Sequence, residues 1–266
     1  MPRRLPAMFT ALVLAAALAA PASARFSDVI VFGDSLSDPG NAAALSGSAF
    51  PPASLYPFGT FSNGPTAAQY LAAGFGVTTV GGWPVAAGAN NFAVGGARVG
   101  DGNYNVQLNS PPGLGAAFPA LAATGIAKQI ERYDAGSLAD PARTLFVLWG
   151  APNDFFAGFD VQGTLGVPVD FAALAQQTVT TLAGHVVTLA MQGARHILVP
   201  NMPDLGLTPS AAAQGPSFAA LASALTDGFN AGLAGALGAA QSALAPLGVK
   251  LYGYDTAGYL RAAVAD

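Results

Sequence analysis

In the stretch VIVFGDSLSDPGN (residues 29–41), Ser35 comes immediately beyond an apolar run that reads as a buried strand. A hydroxyl so placed stands at the carboxyl edge of a sheet and near the next helix start, where free backbone N–H groups favour negative charge. Taken alone, the stretch suits a helix N-cap as well as a nucleophile, because serine is a favoured cap. Two further stretches end in donors. NNFAVGGARVG (90–100) closes a short apolar run with paired glycines, and LFVLWGAPNDFF (145–156) closes another with Asn153 and Asp154. A glycine lets its N–H approach a ligand closely, and an asparagine supplies a side-chain NH₂. With the N–H of Ser35 they could form a three-donor hole for the oxyanion of acyl transfer.

For these groups to converge, the runs that carry them must be parallel neighbours. Short apolar runs alternate with longer helical periods, the signature of crossover units and a parallel sheet. The pattern predicts strands over 28–33, 77–80, 91–94, 144–149, 196–200 and 249–253, and helices over 65–73, 117–134, 170–191, 217–243 and 256–264. In the fourth of these helices, Leu221, Leu225, Phe229, Leu233 and Leu237 read as the core stripe, with Asp227, Asn230 and Gln241 on other faces. Gly/Pro/Asn-rich loops are expected over 46–64, 97–115 and 154–168. There is no internal repeat and no linker, so residues 25–266 read as one α/β domain. In such a sheet ligands gather at the carboxyl ends of the strands.

Composition narrows the function classes. Arg3 and Arg4, the apolar stretch AMFTALVLAAALAA and the small residues Ala22, Ser23 and Ala24 predict a cleaved export signal over residues 1–24 and a secreted or periplasmic product. Losing those two arginines takes the formal charge from −4 to −6. Lysine occurs only at positions 128 and 250, so no basic footprint for nucleic acid is present. Without cysteine there is no disulfide framework and no thiolate metal site, and no pair of histidines or carboxylates has ligand spacing. No metal, no cofactor and no second membrane-spanning helix are therefore expected.

GDSLSDPGN, NFAVGGA and the PND of 152–154, in that order, resemble the first three blocks of the GDSL (SGNH) family of serine esterases and lipases. PFGTFSNGPTAAQYLA and ILVPNMPDLGLTP resemble its intervening segments, so the likeness spans roughly 27–264. The resemblance implies a three-layer α/β/α sandwich of the SGNH-hydrolase, flavodoxin-like kind and hydrolysis of carboxylic esters through an acyl-enzyme. It makes Ser35 the nucleophile, Gly96 the backbone oxyanion donor and Asn153 the side-chain oxyanion donor. One departure stands in the third block. The family commonly has glycine two residues before the asparagine, and here that position is Ala151, with Gly150 one place earlier.

A hydroxyl nucleophile needs a general base, normally a histidine oriented by a carboxylate, and the family takes both from a late Asp-x-x-His motif. The sequence holds only His185 and His196, preceded three residues earlier by Leu182 and Gly193. At ~3.3 Å per residue His196 lies roughly 13 to 16 Å from the reactive end of its strand. His185 lies about 22 Å from the reactive-edge end of its helix at 1.5 Å per residue. Both therefore read as structural, and the chain reads as stopping before its base. Asp34 and Asp38 are expected to be exposed, ionised and too weakly basic to replace it, while Asp154 and Asp204 are expected to hold loops through backbone hydrogen bonds.

The expected function is thus an exported serine ester hydrolase acting on a lipid, acyl or acetyl ester. The alternative is a non-catalytic ester- or glycan-binding member of the same fold. A nucleotide-binding domain is disfavoured because VGGARVG lacks G-x-G-x-x-G spacing, and an α/β-hydrolase because Ser35 lacks the second glycine of a nucleophile elbow. Phe50, Tyr56, Phe58, Phe61, Tyr104 and Leu108 could form an apolar substrate wall or small satellite clusters under the loops.

Overall fold

Four of the apolar runs form the sheet. The computed structural model describes residues 26–83, 87–106, 118–133 and 140–266; the expected export signal lies outside the described residues. Strands β1 (Asp28–Gly33), β2 (Thr144–Trp149), β3 (His196–Pro200) and β4 (Lys250–Tyr254) pair in parallel in the order β1-β2-β3-β4. Between and after them run α1 (Asn41–Leu45), α2 (Ala67–Gly74), α3 (Ile126–Arg132), α4 (Pro152–Leu165), α5 (Phe171–Met191), α6 (Pro209–Ala213), α7 (Pro216–Leu244) and α8 (Thr256–Ala265).

Strand periodicity divides the core between two faces. Ile30, Phe32, Phe146, Leu148, Ile197 and Val199 join the cluster built with Ile126 and Ile130 of α3, Leu182, Val186 and Leu189 of α5, and Phe229 and Leu233 of α7. Val29, Val31, Leu145 and Val147 point the other way, onto Ala68 and Ala72 of α2. The result is a three-layer α/β/α sandwich, and burial of both faces is why β1 and β2 are near-continuous apolar runs.

Several elements differ from the sequence reading. Residues 91–94 lie beside β1 but form no strand: Asn91 makes isolated bridges to Val31 and to Gly81, and the carbonyls of Asn91 and Ala93 also accept from the side chain of Asn41. Residues 77–80 stay irregular, since the side chain of Asn90 takes the bonds a ladder would need, from Val80 N–H and to Thr78 O. The expected helix 117–134 is broken. A 3₁₀ turn at Pro119–Leu121 is separated from α3 by residues 122–125, and a Cβ on Gly125 would press on the backbone of the 100–102 loop.

The expected loop 154–168 is instead mostly helix α4, opened by Pro152 in its first turn and closed by Gly166 at φ 65°. In α7 the core stripe runs through Ala222, Thr226, Phe229 and Leu233, leaving Leu221 43% exposed. Off that stripe, Asn230 bonds both backbone groups of Met202, and Gln241 bonds Val249 O and Leu251 N–H. Among the described residues no helix is long and apolar enough to cross a membrane.

Candidate active site

The turn after β1 is fixed from several sides. Gln129 of α3 accepts from Gly33 N–H at 2.8 Å and donates to Gly33 O at 2.8 Å, pinning the strand end two residues before Ser35. A Cβ on Gly33 would stand 2.5 Å from the carbonyl of Trp149, so no larger residue fits. Asp34 Oδ1 accepts from Leu36 N–H at 3.0 Å, and Ser37 N–H donates to Asp34 O at 3.1 Å. Ser35 sits in this turn, half-buried, at the carboxyl edge of the sheet. It caps no helix: α1 starts six residues later, after Gly40. Asp38 does the capping, with Oδ1 accepting from Gly40 and Asn41 N–H at 2.7 and 2.6 Å and Oδ2 from Ala42 N–H at 3.1 Å.

Asp38 also reaches the second donor segment, accepting from Gly95 N–H at 2.7 Å. Asn41 and Asn91 add cross-links in both directions, Asn41 Nδ2 to Asn91 O and Ala93 O, and Asn91 Nδ2 to Ser37 O. Gly96 follows with φ 85°, a conformation that favours glycine. The third segment enters at the first turn of α4. There Asn153 Nδ2 donates to Ala97 O at 3.0 Å and, more weakly, to Asp34 Oδ2 at 3.4 Å. The structure thus brings the neighbours of Ser35 and of Gly96 together on the one side-chain amide of Asn153. Ala151, just before, takes φ 122°, where glycine would carry no penalty.

The electrostatics correct one expectation. Asp34 and Asp38 are buried, not exposed. Burial pushes Asp34 up to about 7, against the pull of Leu36 N–H and helped by the nearby charges of Asp154 and Asp38. It pushes Asp38 up to about 6 despite the four N–H groups it accepts. Asp154 is raised by burial too, with Arg98 Nε at 3.1 Å and Val99 N–H at 3.0 Å holding it back. Asp204 holds its loop through Gly206 N–H; although burial opposes it, Ser223 and Arg261 bring it below the usual range.

Both histidines are engaged elsewhere. His185 Nε2 is 2.7 Å from Val99 O, and burial lowers its pKa. His196 Nδ1 is 2.9 Å from the hydroxyl of Tyr252, on which its ring stacks. Among the described residues neither bonds to Ser35. The aromatic residues split likewise. Phe50 and Phe61 pack in a satellite cluster with Phe118 and Trp83, Tyr104 donates to Asp160, and Phe58 is exposed. Leu108 lies outside the described residues.

Sequence reasoning missed Gln129, Asn41, Asn91, Asn103 and Asn105, which bond backbone around the site. The only signal was the density of asparagine in FAVGGARVGDGNYN and its surroundings.

The sequence matches the family model described as GDSL-like Lipase/Acylhydrolase over residues 29–253. It is 32% identical over 269 residues to "Esterase EstA" of Pseudomonas aeruginosa and, separately, to "Esterase EstA" of Pseudomonas putida, in each case covering 92% of this chain and 39% of the relative. It is 31% identical over 251 residues to the "Uncharacterized protein in trpE-trpG intergenic region" of Pseudomonas putida, covering 90% of this chain and 39% of that protein. The chain therefore spans about two fifths of the length of these curated relatives.

Proposed function

Because the chain belongs to the GDSL-like lipase/acylhydrolase family, we propose that it carries the nucleophile and oxyanion donors of an exported serine hydrolase that cleaves carboxylic esters. Ser35 Oγ attacks the ester carbonyl, and the N–H groups of Ser35 and Gly96 with Asn153 Nδ2 receive the oxyanion. The alcohol leaves, and water then releases the acyl group from Ser35. Asn153 keeps its 3.0 Å bond to Ala97 O during this cycle, and its 3.4 Å contact with Asp34 gives way to the oxyanion. The observation that carries the reading is the meeting of three distant segments on the Asn153 amide.

His185 is engaged by Val99 O and His196 by the hydroxyl of Tyr252, so in this reading neither serves as the general base for Ser35. The chain alone then loses on the order of 10⁶ in kcat, the cost of deleting the histidine in a serine hydrolase. An apolar recess of about 230 Å³ between Leu71, Trp149, Leu198, Pro200 and Tyr254 lies at the carboxyl ends of β2 to β4 and suits an acyl chain. Residues 1–24 direct export and are removed after Ala24; the intact mass of the secreted native protein tests this.

The test of the activity, made on the native protein, is hydrolysis of a short-chain aryl ester and covalent labelling by a serine-directed phosphonate, both abolished in Ser35→Ala. Full turnover in that variant overturns the assignment. The engagement of both histidines also favours a second reading, a binding module that retains an ester or glycan without turnover. Saturable binding by the native protein with no phosphonate labelling would establish it.

A further inference from the structure

We propose that Asn103 and Asn105 are positioning residues for acyl transfer, holding and polarising the Gly95–Gly96 peptide so that its N–H is aimed at the oxyanion. The proposal rests on the site reading above and adds to it residues that contact no reacting atom. A peptide unit is planar, so fixing the carbonyl of Gly95 fixes the direction of the Gly96 N–H. That carbonyl receives two side-chain amides, Asn103 Nδ2 at 2.9 Å and Asn105 Nδ2 at 3.2 Å.

The surrounding groups remove the remaining freedom. Gly95 N–H donates to Asp38, and Gly96 O accepts from Tyr104 N–H at 2.7 Å. Gly96 is itself buried, yet among the described residues its N–H donates to no protein acceptor. Buried backbone donors are nearly always paired, so an open one marks the place of a ligand acceptor. Donation to the carbonyl of an amide also strengthens the N–H of the same amide.

Asn103 is held rigidly for this task. Its Nδ2 also donates to Thr124 Oγ1 at 2.9 Å, and its Oδ1 accepts from Asn105 N–H at 2.9 Å. The two asparagines occupy the space that a Cβ on Gly96 would need, which explains glycine there independently of its φ of 85°.

Asn105→Ala and Asn103→Ala in the native protein test the role, with kcat and KM on a short aryl ester and the Gly96 amide proton resonance in ¹⁵N-labelled protein as readouts. The expected result is a kcat about tenfold lower in each, short of the 10² or more that follows loss of an oxyanion donor outright. KM stays within about twofold, because the interaction belongs to the transition state, and the Gly96 amide proton moves upfield. Asn105→Asp, which turns a carboxylate toward the Gly95 carbonyl, falls further than Asn105→Ala. Should the buried Asn103→Ala fail to fold, the part-exposed Asn105 variants decide alone. An unchanged kcat and an unmoved Gly96 resonance in folded Asn105→Ala, with Ser35→Ala inactive, overturn the positioning role and leave the site reading intact. Turnover surviving in Ser35→Ala overturns both.

Discussion

The side-chain nitrogen of Asn153 lies 3.4 Å from Oδ2 of Asp34, so a buried carboxyl group borders the amide at which the three donor segments meet. Burial is the main reason that this carboxyl is raised to about 7. In the unfolded chain it ionises near 4, so between these values the folded state binds more protons. The stability contributed by Asp34 is therefore fully present below about pH 4 and is lost as pH rises through 7. Asp34→Asn removes the ionisation. The variant-minus-parent stability difference should grow on the order of 2 to 4 kcal/mol between pH 4 and pH 8. Thermal melts of both proteins across that range measure it, and a difference flat in pH would show that Asp34 ionises normally.

Asp38 makes a different prediction because its oxygens are saturated. Four backbone N–H groups, from Gly40, Asn41, Ala42 and Gly95, converge on it at 2.6 to 3.1 Å. In Asp38→Asn one oxygen becomes an NH₂ facing two of these donors. Each buried group left unpaired costs about 1 to 3 kcal/mol, so the variant should lose on the order of 3 kcal/mol in urea unfolding. Its kcat should fall as well, since the turn bearing Ser35 is uncoupled from Gly95. The exposed cap Asp170, which accepts from Ala173 N–H, is the control; Asp170→Asn should cost only a few tenths of a kcal/mol, because both residues cap well. A loss at Asp38 no larger than the control would mean that the clamp is not stabilising.

Much of the framework was readable from local pattern. The bounds expected for β1, β2 and β3 are those observed, and α5 differs from expectation by one residue at its start and α7 by one at each end, because long apolar periods leave little choice of face. Helix α4 was lost to its glycines, Gly158 and Gly163, although Pro152 was a legible start signal. The run at 91–94 could not be told from a strand, since it lies beside β1 but is tied by isolated bridges and by the side chain of Asn41, fifty residues away. The same holds within the site. Ser35, Asn153 and the paired glycines stand out by position at strand ends, whereas Gln129, Asn103 and Asn105 act only through tertiary placement. The exposure and ordinary carboxylate basicity expected for Asp34 and Asp38 fail for that reason too: burial is not written in a loop of short polar residues.

Ala151 supplies a test of stored backbone strain. It takes φ 122° and ψ −34° immediately before the turn of α4 that carries Asn153, and its methyl group is buried in the main core cluster. Replacing an ordinary buried alanine by glycine removes a methyl worth about 0.8 kcal/mol and adds unfolded-state entropy worth about 0.4 to 1 kcal/mol. Such a change would therefore cost somewhat over 1 kcal/mol. At Ala151 these losses are opposed by relief of a disfavoured conformation, of order 1 to 3 kcal/mol. Ala151→Gly should consequently be neutral to about 1 kcal/mol stabilising, a rise in Tm of up to about 2 to 4 °C for a chain of this size. Ala42, equally buried in helix α1 at ordinary helical angles, is the comparison; Ala42→Gly should lose the full amount. Equal losses at the two positions, read from urea midpoints, would mean that Ala151 carries no strain.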